Sequence, residues 1–375
     1  MVSIARSSLI YEWRRFLPAT LAVAFAGLLV QIQMSLLLGM FSSVAVYIDR
    51  SGADLWAGYP GTQSVDLARP ISTKVENSLR MHPEVTRVER LTWTGGDWLR
   101  PTGGKLIAVL IGISPSPDSM TFSNLLTPRL RQLLDEPNSI LVDIADLDKL
   151  GVRVGDTTEL MGKRVKVVGT VNGMRSMGSA NVLASLATAR KLDPSLRKDN
   201  TEYFLIKLKN PENAEAVRDL LQPKGSFKPF QVWTSEEFST QSQGYWLFES
   251  GAGSGFLFSS TLGLLVGIVI TSQTLMGAIV AALREYATLR ALGVSTSSLR
   301  GVVLEQSFWV GVVGLLITAV VGSILIMVAK AAYIPLETPL AGCIATGILV
   351  LGIAMLSGLA ALRALNQAEP FTLLR

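Results

Sequence analysis

The sequence predicts a membrane protein: four transmembrane α-helices in a 1+3 arrangement, with a large α+β domain between the first and second. Three observations predict it. Only 17% of the 375 residues are charged and 49% are hydrophobic, where a soluble domain carries about 25% charged residues; mean hydropathy is +0.39. Four long stretches carry no charge at all. Between the first and second of them lie about 200 residues of ordinary soluble character.

The four stretches are bounded by charged residues. Arg15 to Asp49 encloses 33 uncharged residues, Glu249 to Arg284 encloses 34, Glu305 to Lys330 encloses 24, and Glu337 to Arg363 encloses 25. A helix needs about 20 mostly apolar residues to cross the hydrocarbon core, so spans are expected near 17–42, 256–283, 306–329 and 340–362. The first is too long for a secretory h-region of about 7–15 residues. It also lacks a small-x-small exit before Tyr47. The Arg14-Arg15-Phe16-Leu17 run therefore reads as the flank of a retained anchor. Residues 1–16 mix Ile4, Leu9, Ile10, Trp13 and Phe16 with Arg6, Glu12, Arg14 and Arg15. This fits an interfacial amphipathic helix or a cytoplasmic extension of the first span.

Small residues punctuate the spans, among them Gly263, Gly267, Thr271, Ser272, Gly347, Gly352, Ser357 and Gly358. They allow close helix approach, either within the chain or at a dimer seam. Gln31, Gln33 and Gln273 are the main polar residues at membrane depth and suit interhelical contacts.

Orientation follows the basic residues at helix ends. Arg6, Arg14 and Arg15 precede the first span, Arg284, Arg290 and Arg300 lie between the second and third, and Arg363 and Arg375 follow the fourth. Both termini (1–16 and 363–375) and the loop 284–305 are expected in the cytoplasm, with 43–250 outside.

The outer segment alternates with period two over 85–93, 105–113 and 163–171, as half-buried strands do. Near 72–80, 123–134 and 211–221 the apolar spacing is helical. Gly95-Gly96, Pro101-Thr102-Gly103-Gly104, Ser114-Pro115-Ser116-Pro117 and Gly225 supply turn chemistry. Two lobes are expected, with a joint into the second span over 239–255.

Several functions are excluded by what is missing. No G-x-x-x-x-G-K-[ST] run exists, so this chain has no backbone cradle for a nucleotide phosphate. There is one cysteine, Cys343, and one histidine, His82, which leaves no metal-ligand cluster and no zinc or haem cofactor site; with His82 outside the spans, a Ser–His intramembrane protease is excluded as well. No acidic residue sits in mid-span to serve a proton relay. The net charge of +5 is partly accounted for by membrane flanks, with no nucleic-acid partner implied. The chain does not read as an enzyme.

The loop after the second span reads Arg284-Glu285-Tyr286-Ala287-Thr288-Leu289-Arg290-Ala291-Leu292-Gly293-Val294-Ser295, followed by Ser298-Leu299-Arg300 and Glu305-Gln306. Glu285, Leu289 and Leu292 share one helical face with Arg290 beside them, and Gly293 suits a left-handed helix end. This segment resembles the R-E-x-A-x-L-R-A-x-G-A-S signature of the FtsX/MacB-like, or type VII, ABC permeases. The tail Glu369-Pro370-Phe371-Thr372-Leu373-Leu374-Arg375 is similar to that family's P-x-E-A-L-R ending, with Thr-Leu where Glu-Ala is usual. In the outer domain, 140–143, Leu150-Gly151 through Gly155-Asp156, and 165–171 look like the family's periplasmic core. Ala53-Asp54-Leu55-Trp56 looks like its DevC branch.

The resemblance implies a side-by-side homodimer on two ATP-binding subunits, with Glu285, Leu289, Arg290, Leu292, Gly293, Glu369 and Arg375 in the coupling contacts. For a DevC-like protein it implies a membrane-fusion adaptor, an outer-membrane channel protein and export of a lipid, glycolipid or small molecule. An FtsX-like regulator of periplasmic hydrolases and a lipoprotein-releasing permease are alternatives inside the family. A membrane sensor or scaffold without an ATPase is the alternative outside it.

Overall fold

A computed structural model of the chain describes residues 9, 11–175, 179–225, 228–282, 285, 288, 292–332, 334, 336, 338 and 340–367, with the side chains at 275, 279, 296 and 360–367 excepted. Two compact units emerge: residues 40–253, and residues 1–39 with 254–375.

The outer unit begins where the first long helix, α1 (Trp13–Val44), ends and a single further turn, α2 (Val46–Asp49), follows. Next come β1 (Leu55–Gly58), β2 (Ile71–Ser72), α3 (Val75–Arg80), the long β3 (Val85–Leu99) and β4 (Lys105–Ile113). Then follow α4 (Pro128–Asp135), β5 (Ser139–Asp143), α5 (Leu147–Leu150), β6 (Thr157–Leu160), β7 (Lys163–Val171), β8 (Ala180–Ser185) and α6 (Leu186–Leu192). The unit closes with β9 (Asn200–Thr201), β10 (Tyr203–Leu208), α7 (Ala214–Leu221), β11 (Gln231–Thr234) and α8 (Ser235–Gly244).

Nine strands form one sheet in the order β11-β1-β10-β3-β4-β8-β5-β7-β6, and β6 returns to pair with the far end of β3. β3 is long enough to serve two lobes. Its first half pairs with β10, from Leu91 opposite Tyr203 to Val85 opposite Leu208. Its second half pairs with β4, and at Trp98–Leu99 also with β6. The β3-β4-β8-β5-β7-β6 half is thereby closed on itself, which leaves those strands no free edge.

Period-two alternation decides which core each side chain joins. Trp56 packs in a cluster with Tyr47, Leu91, Tyr203, Trp233 and Phe238, while its neighbours Leu55 and Ala57 face the opposite cluster with Val75, Leu79 and Phe204. Trp98, Ala108, Leu110, Val142, Val167 and Val182 fill the closed half. Helices start where capping is available: Thr127 accepts the Leu130 N–H, Ser185 the Thr188 N–H, and Thr234 with Glu237 forms a capping box.

Gly95-Gly96 departs from the turn expected there. Both lie inside β3, opposite Val109 and Ala108. A Cβ on Gly96 would come within 2.5 Å of Met161 Cγ, so packing against the β6–β7 turn, rather than chain reversal, explains the missing side chain.

Among the described residues, four helices are long and apolar enough to span: α1, α9 (Ala252–Ala281), α10 (Thr296–Ala331) and α11 (Leu340–Gln367). α10 starts ten residues before the expected span. Ser295 caps it by accepting the Ser298 N–H at 3.2 Å, and Arg300 and Glu305 are carried inside the helix. The stretch 284–305, read as a loop, is thus helical from Thr296. Likewise the helix containing the first span begins at Trp13.

Small residues mediate contacts within the chain. A Cβ on Gly314 would meet Val23 at 2.6 Å, one on Gly267 would meet Ala26 at 2.9 Å, and one on Gly311 would meet Ala354 at 3.0 Å. Ser272 and Ser357 hydroxyls hydrogen-bond at 2.9 Å between α9 and α11, and Thr318 donates to the Ala24 carbonyl at 3.1 Å. Gln33 lies beside Gly263 and Gln31 beside Gly322, occupying room that a side chain at those glycines would need. Gly347 and Gly352 face open space.

Candidate coupling site

The segment between α9 and α10 carries five of the coupling residues expected from the sequence, and the terminal run carries Glu369 and Arg375. Of these, Glu285, Leu292 and Gly293 are described; Leu289, Arg290, Glu369 and Arg375 lie outside the described residues. The Leu292 N–H donates to the Thr288 carbonyl at 3.1 Å, a helical contact that ends at Gly293. Gly293 has φ +91°, a left-handed geometry that costs an L-residue roughly 1–2 kcal/mol. Val294 and the capping Ser295 then lead into α10, so the turn at Gly293 and these two residues separate the 288–292 helical contact from α10. The Leu292 side chain is 77% exposed.

Glu285 is tied down. Its Oε1 accepts from Arg15 Nη1 at 3.0 Å, and the same nitrogen donates to Glu12 Oε2 at 2.6 Å. The start of α1 is thereby ionically bound to the segment that follows α9. Below this pair, Phe16, Ala19 and Val23 of α1 pack with Ala278, Ala282, Leu299, Val303 and Val310. Sequence reading took Arg15 as a membrane-flanking charge only. Its partner lies 270 residues away, and no local signal announces that distance.

In the outer unit the chain leaving α1 is locked into the core. Tyr47 is fully buried, its hydroxyl donates to Asn181 Oδ1, and its ring meets Trp93 edge-on at 4.6 Å. Asn181 in turn donates to the Met174 carbonyl at 2.6 Å, and its N–H donates to Asp146 at 3.2 Å. Asp143 accepts the Met174 N–H at 2.7 Å. Burial pushes the Asp146 carboxyl up, opposed by the Asn181 N–H and by Arg175, whose Nε is 3.8 Å away.

Glu89 fixes the 114–127 loop. Burial raises its pKa, but hydroxyls of Ser119 and Thr121 and the N–H groups of Met120 and Thr121 outweigh that and hold it below the usual range. Arg131 reaches the same loop, donating to the Thr121 carbonyl at 2.6 Å. In the Ala53–Trp56 stretch, Asp54 accepts the Leu208 N–H at 2.8 Å and Lys207 Nζ at 2.8 Å, and Trp56 is wholly buried. These residues organise the sheet. Among the described residues no group of His, Cys, Asp and Glu has metal-site geometry.

The connection back to the membrane is built differently. α8 runs into a π-turn, Tyr245–Glu249, and breaks at Gly251, which has φ +80°. Most of the 239–255 stretch, expected to be a joint throughout, is helical. The break is confined to Ser250–Gly251.

Comparison with known proteins gives two successive matches along the chain. The MacB-like periplasmic core domain profile matches residues 16–224, and the FtsX-like permease C-terminal profile matches residues 257–370. Among solved structures, the chain is similar to the periplasmic region of MacB from Actinobacillus actinomycetemcomitans. That match has 15% identity, covers 52% of this chain and 94% of that one, and has a TM-score of 0.36. It is similar also to the extracellular domain of the noncanonic ABC-type transporter YknZ from Gram-positive bacteria, at 13% identity, 48% and 100% coverage, and a TM-score of 0.35. No curated protein matches the chain. With the core-domain profile spanning more than half of the chain and the permease profile its last three helices, the chain belongs to the FtsX/MacB-like family of ABC transporter permeases, multi-pass inner-membrane subunits that work with an ATPase.

Proposed function

We propose that this chain is the permease of an export complex driven by mechanotransmission. Two copies stand side by side on two ATP-binding subunits, which grip the 284–300 segment and the terminal Glu369–Arg375 run. Both termini and that segment face the cytoplasm, and the outer unit faces the periplasm. Movement of the segment passes along α9 to the outer unit, which works on material outside the bilayer. Of the family's branches, the DevC-like one fits best. It brings a membrane-fusion adaptor, an outer-membrane channel and a lipid, glycolipid or small-molecule cargo.

The observation that carries this reading is the Arg15–Glu285 ion pair. A segment that merely turned the chain round would have no use for a tether to the first span, whereas a lever needs its load attached. The uncharged mid-spans support it as well, because a hydrophilic conduit would be lined by polar groups.

The test is to replace Leu289 by Ala or Gly293 by Val and reconstitute each with its ATPase partner. Both variants should insert, keep ATP turnover, and lose export. Normal export in both refutes the coupling role. Purification in complex with an adaptor favours export over a hydrolase regulator.

A further inference from the structure

The first and third membrane helices enclose a groove made for hydrocarbon. Trp13, Phe16 and Leu17 of α1 face Trp309, Val313 and Ile317 of α10 across a volume of about 570 Å3, within the range of ligand sites. Its one lining hydroxyl, on Thr20, donates to the Phe16 carbonyl of its own helix at 3.0 Å. Water there would find little to bond. Both walls belong to membrane spans, so the groove is filled from the bilayer.

What fills it is indicated by charge at one end. Arg14 lies over the Trp13 ring, 5.6 Å from its centroid. Its neighbour Arg15 is committed to Glu12 and Glu285; among the described residues no carboxylate pairs with Arg14. Trp beside a cation at a span end is the arrangement that meets headgroups. An apolar slot whose wall residue Trp13 carries the Arg14 guanidinium on its ring suits an acyl chain with a phosphate on that arginine. A second copy of the chain docking about a two-fold axis would instead bring its own Arg14 toward the same end.

We propose that this groove holds one acyl chain of an anionic phospholipid whose phosphate sits on Arg14. Occupancy steadies Trp13–Arg15, and through Arg15 it steadies Glu285 of the coupling segment. Under the proposed orientation that end of the groove lies in the cytoplasmic leaflet; the site itself does not depend on that orientation.

Native mass spectrometry of the intact chain, taken from nanodiscs of phosphatidylglycerol mixed with phosphatidylcholine, tests this without ATPase or cargo. The wild type should retain one phosphatidylglycerol per chain. Arg14→Gln should lower the preference for it about fivefold, the worth of one basic residue at an anionic surface. Val313→Trp should abolish retention of both lipids by filling the slot. Val313 is 44% exposed, so that change leaves the helix core intact, and an unaltered melting curve checks this. Trp13→Ala, which removes a wall, should weaken both lipids. Equal retention by all three variants overturns the site, as does a crosslink between cysteines placed at residue 17 of two copies that forms at the wild-type lipid level. Failure of the export test leaves this measurement unaffected.

Discussion

Glu202 supplies a sharp test of how the two lobes of the outer unit are joined. It sits where β3 passes from one lobe to the other, 6% exposed, with Oε2 accepting the Trp93 N–H at 3.1 Å. Burial pushes its carboxyl up to about 7, helped by the charge of Asp193 and opposed by the Trp93 N–H and Arg190. Arg190 is itself lowered by burial and by Arg90, and its buried Nε and Nη2 have no hydrogen-bond partner among the described residues. An unfolded chain releases the Glu202 proton near its ordinary value of 4.5, whereas the folded chain keeps it to about 7. Between these values the folded state binds more protons, so stability falls as pH rises through the window and levels off above it. At about 1.4 kcal/mol per pKa unit, the fall attributable to Glu202 is about 3 kcal/mol at most. Glu202→Gln stays neutral and keeps an acceptor for the Trp93 N–H. Unfolding of the intact chain in detergent, followed by tryptophan fluorescence from about pH 5 to pH 8, should show a flatter profile for the variant. The variant should also be more stable than the wild type at the alkaline end. The same slope in both proteins, or a less stable variant at the alkaline end, refutes the account.

Three further expectations follow from the same contacts. Removing Tyr47's hydroxyl with Tyr47→Phe leaves the buried Asn181 Oδ1 without its donor and should cost about 1–3 kcal/mol, read as a lower unfolding midpoint; an unchanged midpoint would show that the bond does not anchor the chain. Arg15→Ala and Glu285→Gln each break a partly exposed pair worth about 0.3–1 kcal/mol, and the double variant should impair coupled ATP turnover no more than the worse single one; additive losses would separate the two residues. Gly251→Val forces a branched side chain to φ +80° where its Cβ meets nothing within 4 Å, so its cost is backbone strain of roughly 1–2 kcal/mol; export should fall while ATP turnover persists, and unchanged export would show that the break is not used.

The spans were legible because charge is so costly in hydrocarbon that its absence marks the bilayer, and the strands were legible because one-sided burial writes period two into 85–93, 105–113 and 163–171. What escaped has a common physical origin in distance along the chain. The start of α10 was hidden because Arg300 and Glu305 look like a boundary, although a helix may carry charge once it leaves the apolar layer. Gly95-Gly96 looked like a turn because the residue that crowds Gly96, Met161, is far away in sequence. Closure of the sheet through β3 and β6 and the Arg15–Glu285 tether likewise join segments that no local pattern relates. Of the coupling site, the residue types and the glycine break could be read from the segment itself, but its attachment to α1 could not.

The two chain connections into the outer unit differ in stiffness, and that difference bears on how a stroke would be used. On the α1 side, Val44, Ala45, Tyr47 and Ile48 are all buried in the domain core, and only the turn at Ala45 separates α1 from α2. Bending there would have to disturb the Tyr47–Asn181–Asp146 network, where each lost bond exposes a buried polar group. On the α9 side, a π-turn and Gly251 interrupt the helix, and a Cβ placed on Gly251 would meet nothing within 4 Å. Under the proposed mechanotransmission, a push arriving along α9 would meet this break before it reached the outer unit. Under this reading, stiffening Gly251 and loosening Tyr47 damage export by opposite routes, so combining Gly251→Val with Tyr47→Phe should not restore it.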